Sequence, residues 1–181
     1  GEIVFLSTRR GQHIQCGRES AMATLGTELG DCYVRCGGGP YRPVAVYTLH
    51  VMDADGGDLR QISPFEMFEW TPSVDHQGQI LYSRWDYIDR WWASAHHMWM
   101  SFPDGRDARN FHGNYPHPYS VQPEYDGPKV GTRPLGPCSE MHFRAIPDSP
   151  RYIFTGVPHH GAAFGPLALL DLQIPDNGGM N

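Results

Sequence analysis

Ten histidines and four cysteines stand out in this 181-residue chain, and several fall close to carboxylates. His96-His97 and His159-His160 are adjacent pairs, Glu140 and His142 are two positions apart, and Glu69 precedes a proline-containing run. Imidazole changes charge near neutral pH, and imidazole, carboxylate and thiolate are the side chains that hold zinc. A cluster drawn from His97, His142, His159 or His160 with Glu69 or Glu140 therefore has the groups for zinc, another divalent metal, or acid–base chemistry. Neighbouring residues of a strand point to opposite faces, so at most one histidine of each pair can join such a cluster. The same groups would equally serve as hydrogen bonds tying long loops to a sheet. Cys16, Cys32, Cys36 and Cys138 admit three states: disulfides, a zinc site, or free thiols. Trp85, Asp86, Trp91 and Trp92 form an aromatic stretch that would suit a carbohydrate platform or loop packing. Arg84, Asp86, Asp89 and Arg90 within it read as a loop-bracing charge network.

The elements that must position these residues are short strands. From Glu69 to His112 the chain shows four, punctuated by Asp75-His76-Gln77-Gly78 and Pro103-Asp104-Gly105, with apolar runs at Ile80–Ser83 and Met98–Ser101. Gly1 to Ser7 matches Gly78 to Ser83, Ile153-Phe154-Thr155 matches Ile80-Leu81-Tyr82, and Leu49 to Gly56 lies over Met98 to Gly105, with Leu167 to Asp171 as a third version. Repetition of a four-stranded unit is the pattern of β-propeller blades. The expected fold is all-β, with blade 1 at about residues 1–63 lacking its first strand, blade 2 at about 66–112, and blade 3 at about 139–181 lacking its last. Propellers close with roughly four to eight blades, so the chain reads as a piece of a larger protein, the alternative being a small open stack of sheets complete in itself.

Strand direction alternates within a blade, so second-to-third strand loops and blade-to-blade loops leave from one face. The cysteines and most of the histidines belong to that face, in the insertion from Thr8 to Val46, the loop from Asp86 to Ala95, the connection from Gly113 to Pro137 and the turn at Pro158–Gly161. Glu69 and Glu140-x-His142 begin the innermost strands, which directs them towards a channel mouth.

A net charge of −6 argues against a nucleic-acid or anionic-membrane partner, because phosphate binding needs clustered Lys and Arg. No apolar stretch approaches the roughly 18 residues of a membrane span. No nucleophile elbow, phosphate loop or dinucleotide fingerprint is present.

Met52-Asp53-Ala54-Asp55-Gly56-Gly57-Asp58-Leu59-Arg60-Gln61-Ile62 resembles the TolB-type, WD40-like propeller repeat. Ile80 to Arg90, His96-His97-Met98-Trp99, Pro103-Asp104-Gly105-Arg106, His112 to Pro116, Arg144-Ala145-Ile146-Pro147 and His159-His160-Gly161 together resemble the middle-domain family of hydrazine synthase alpha subunit. The resemblance implies a six-bladed, TolB-like propeller in a larger exported bacterial protein, hence a periplasmic or secreted location and other domains of the parent protein as partners. It does not carry a haem: Cys32-Tyr33-Val34-Arg35-Cys36 has neither the spacing nor the following His of covalent c-type attachment. Two functions follow as expectations. One is a module binding a ligand or partner domain on its loop-rich face; the other is a metal- or His/Glu-dependent hydrolase or lyase with its site at the channel mouth, for which saccharides are one candidate substrate class.

Overall fold

The computed structural model describes residues 1–7, 34–35, 44–45, 47–63, 68–85, 96–111, 139–157 and 164–173. Among them every regular element is a strand, and the chain divides into two compact units, Gly1–Trp70 and Thr71–Asn181.

In the first unit, β1 (Glu2–Ser7) is an almost continuous apolar run whose Val and Ile favour the pleated backbone. The two-residue strands β2 (Val34–Arg35) and β3 (Val44–Ala45) pair with each other. They lie inside the Thr8–Val46 insertion, where the sequence reading placed no strand. β1 pairs antiparallel with β4 (Thr48–Asp53), from Glu2 opposite Asp53 to Ser7 opposite Thr48. The short β5 (Arg60–Gln61) covers the other edge of β4. Leu49, Val51, Ile62 and Phe68 are the buried apolar residues of this unit.

The second sheet holds seven strands. β6 (Glu69–Val74), β7 (Ile80–Trp85), β8 (His96–Ser101) and β9 (Arg109–Asn110) form one ladder, while β10 (Ser139–Ala145), β11 (Arg151–Val157) and β12 (Leu167–Asp171) form another. Within each ladder the recorded pairings are antiparallel, and a single parallel bridge between Ser139 and His96 joins the two. Their shared core is Leu81, Met98 and Met100 from one ladder against Phe143, Tyr152 and Phe154 from the other. Six large apolar side chains buried together supply on the order of 1.5–3 kcal/mol each, relative to exposure.

Tight turns close one end of each ladder. Asp55, Asp75 and Asp104 each accept a backbone N–H two residues on through Oδ1, from Gly57, Gln77 and Arg106. Gly56, Gly78 and Gly105 beside them take φ of +91°, +77° and +84°, a region where a Cβ would be strained. The strands expected at Ile80–Ser83, Met98–Ser101 and about Glu140–Ala145 thus lie within or beside β7, β8 and β10. No helix among the described residues is long and apolar enough to cross a membrane.

Candidate functional site

Glu69 heads β6 and is fully buried. Its Oε2 accepts the backbone N–H of Leu49 at 2.9 Å and its Oε1 accepts the Ser63 hydroxyl at 2.8 Å, while its own N–H donates to Tyr47 O at 3.1 Å. The carboxylate therefore fastens the start of β4 and the segment after β5 to the head of β6. Its acceptor oxygens are committed to protein donors, which is the geometry of a brace.

Glu140 occupies the corresponding place one ladder on, second in β10. Its Oε2 lies 3.3 Å from His97 Nδ1, with both side chains about 5% exposed or less. The two atoms are in polar contact without the alignment of a hydrogen bond. Taking two ionisable groups out of water costs more than their attraction returns unless further hydrogen bonds complete them. The adjacent backbone bridge between Ser139 and His96 fixes the approach of the two strands. The head of β10 and the head of β6 thus repeat one device, a buried glutamate and a main-chain contact to the start of an earlier strand.

His142 does not join that pair. It sits at a β-bulge between Met141 and Arg144, where one extra residue of β10 faces β11, and its φ is +59°. Thr71, two residues after Glu69 as His142 is two after Glu140, also has a positive φ of +51°, and its Oγ1 accepts the His142 N–H at 3.0 Å. Non-glycine residues in this region carry a backbone cost that surrounding contacts must hold in place.

β10 is held along its length by side chains of the preceding ladder. Ser83 Oγ donates to Glu140 O, Thr71 Oγ1 accepts from His142 N, Ser73 Oγ donates to Phe143 O at 2.7 Å, and His76 Nε2 donates to Ile146 O at 2.8 Å. Sequence reasoning did not single out Thr71, Ser73 or Ser83, because small hydroxyl residues in a strand carry no local mark of partners that lie 71, 70 and 57 positions away.

Two placements differ from the sequence reading. Trp85 is not displayed on a loop: it is the last residue of β7 and is buried. Arg84, expected to brace a loop, is likewise a buried β7 residue, with its guanidinium 4.2 Å from the centre of the Trp99 ring. Cys16, Cys32, Cys36, Cys138, Asp86, Asp89, Arg90, Trp91, Trp92, His159 and His160 lie outside the described residues. Among the described residues no three His, Cys, Asp or Glu side chains converge as metal ligands. The described part of the candidate cluster is therefore one buried His–Glu pair, a braced glutamate, and a bulged histidine apart from both.

The row Trp85–His96–Ser139–Val157 runs in register across β7, β8, β10 and β11. It marks the end of the sheet from which the connections 86–95, 111–138 and 158–166 depart, whereas the turns 75–79, 102–108 and 146–150 lie at the opposite end.

No protein-family profile matches the chain, and no curated protein matches it in sequence. Among solved structures, the crystal structure of the tricorn protease aligns with a TM-score of 0.35 and 14% identity, covering 72% of this chain and 14% of that one. A likeness of that size carries no argument about fold or chemistry.

Proposed function

We propose that this chain is a propeller module of a larger exported bacterial protein related to hydrazine synthase alpha subunit, and that it binds a ligand or a partner domain at the ends of its strands where the long connections depart. The observation that supports this reading is the asymmetry of the second unit, with short Asp- and Gly-directed turns at one end and every long connection at the other. Rigid strands that carry variable loops at one end are a common platform for recognition. The buried state of Glu69 favours binding over catalysis, because a carboxylate that accepts Leu49 N–H and the Ser63 hydroxyl has little capacity left for a substrate.

The test is a panel of soluble oligosaccharides and other small ligands screened by thermal shift and tryptophan fluorescence, with product analysis on every hit. The expected result is a ligand that raises Tm, loses affinity on Trp91→Ala or Trp92→Ala, and is recovered chemically unchanged. Turnover abolished by Glu140→Gln or His142→Ala would overturn the reading in favour of a His/Glu- or metal-dependent hydrolase or lyase. That second reading has one supporting observation, the close His97–Glu140 contact near the same sheet end. Elemental analysis and a thiol count under denaturing conditions address the cysteines. One zinc per chain with four free thiols fits a metal site, and absent thiols fit disulfides formed outside the cytoplasm.

A further inference from the structure

By strand pairing the three ladders place equivalent residues in register, with Ile153 at the position of Leu81 rather than of Ile80 as in the sequence match, and one face is covered in two of them and bare in the third. Leu6 opposite Leu49 and Val4 opposite Val51 correspond to Ser83 opposite Met98 and Leu81 opposite Met100, and then to Thr155 opposite Leu167 and Ile153 opposite Leu169. Leu49, Val51, Met98 and Met100 are all 2% exposed or less. Leu167 and Leu169 are 71% and 56% exposed, with Phe164 beside them at 76%.

What covers Met98 and Met100 is known: the opposite face of the next ladder, which presents Tyr152 and Phe154. The first ladder carries the same kind of face. By the same register, Ile3 and Phe5 of β1 correspond to Tyr152 and Phe154 of β11, paired with Met52 and His50 where β11 pairs with Leu170 and Ala168. Ile3 is 42% exposed and Phe5 half-buried, whereas Tyr152 and Phe154 are buried. The chain thus presents both halves of a joint whose closed form exists inside its second unit.

We propose that the β11–β12 face, formed by Ile153, Thr155, Leu167 and Leu169, is an interaction surface for a second copy of this chain, which seats Ile3 and Phe5 of its β1 there. The contact is head-to-tail, so each copy uses two different surfaces. Its apolar character fits the occupant: the β12 run Leu167-Ala168-Leu169-Leu170 carries no charge, and an exposed apolar patch on a strand that is an edge among the described residues marks an association site. The proposal is independent of whether the loop-bearing end binds a ligand; in a longer parent propeller a neighbouring repeat would compete for the same face, and the 181-residue chain by itself tests whether that face accepts the β1 surface of a second copy.

The experiment is sedimentation velocity on the full 181-residue chain over a concentration series. Wild-type protein is expected to associate reversibly. The double substitution Leu167→Asp with Leu169→Asp, and separately Ile3→Asp, is expected to weaken association at least tenfold. All three positions are exposed, so the variants keep their fold, which urea unfolding checks. Mixing the two variants is expected to restore association, because the Ile3 face of one and the β12 face of the other remain intact. Concentration-dependent hydrogen-exchange protection of β1 and β12 in the wild type gives a second readout that needs no substitution. A wild-type chain that stays monomeric throughout, association untouched by the β12 variant, or a mixture that fails to associate would each overturn the proposal.

Discussion

Replacing Glu69 separates a brace from a ligand-binding carboxylate. Two donors converge on its buried side chain, Leu49 N–H on Oε2 and the Ser63 hydroxyl on Oε1. Hydrogen bonds to a charged group contribute about 1.5–3 kcal/mol each, and a buried N–H left without an acceptor costs about 1–3 kcal/mol. Glu69→Ala removes both acceptors and strands the Leu49 N–H, so a loss of about 3–5 kcal/mol is expected. Against a total of about 5–15 kcal/mol for a typical domain, that is a large share. Glu69→Gln keeps an amide oxygen for Leu49 N–H and offers its NH2 to the Ser63 oxygen, which turns from donor to acceptor. The geometry survives and only the charge assistance goes, an expected loss of about 1–2 kcal/mol. Urea unfolding of wild type, Glu69→Gln, Glu69→Ala and Ser63→Ala gives the ordering, and the Leu49 amide should exchange fastest in Glu69→Ala. A carboxylate kept for chemistry predicts the reverse, since removing a functional buried charge commonly stabilises a fold. Equal stability of the Ala and Gln variants, or an Ala variant within about 1 kcal/mol of wild type, would refute the brace.

Gly165→Ala should destabilise the second unit by at least about 2 kcal/mol, because a Cβ there would meet Gly156 O at 1.9 Å; a Tm within a degree or so of wild type would show that the segment simply moves aside. Met100→Ala should cost about 2–5 kcal/mol in urea unfolding as it opens space against the cluster of Phe143 and Phe154, and a cost under about 1 kcal/mol would mean that the core is not packed as described. The Arg151 guanidinium donates to Asp171 at 2.8 Å and, with the Gln173 N–H, holds that carboxyl below its ordinary range. A depressed folded-state value makes its stabilising contribution complete above the unfolded-state value and lost as pH falls through the folded one. Arg151→Met should raise the Asp171 midpoint in a carbon-detected NMR titration; an unmoved midpoint would remove Arg151 as the cause.

The strands were legible because each is a short apolar run between residues that make turns for a stated reason. Ile80-Leu81-Tyr82 lies between Asp75–Gly78 and the Asp86 region, and Asp75 Oδ1 does accept the Gln77 and Gln79 N–H groups. The partners of the glutamates were not legible. Glu69 looks like a group aimed at a channel, yet it meets a main-chain N–H 20 residues earlier, and no local pattern encodes a main-chain donor. The bulge at His142 was equally hidden: histidine is enriched among the few non-glycine residues at positive φ, but that does not single out one of ten histidines, and the conformation here is held by Thr71, 71 residues away. Trp85 was misplaced because an aromatic residue ending an apolar run can close a strand or open a loop, and its burial here decides for the strand.

The clamp on β10 has a consequence for how such a chain can change over time. All four of its bonds end on main-chain atoms, at Glu140 O, His142 N, Phe143 O and Ile146 O. These atoms exist whatever side chains β10 bears, so the information that places the strand is stored in Thr71, Ser73, His76 and Ser83 of its neighbour. The side chains of β10 that face neither the core, as Phe143 does, nor His97, as Glu140 does, are thereby released to drift, provided the residue count across the bulge is kept. A duplicated or transplanted repeat could dock on the existing ladder without matching it residue for residue, whereas deleting one residue near His142 would move Phe143 O and Ile146 O off their donors together.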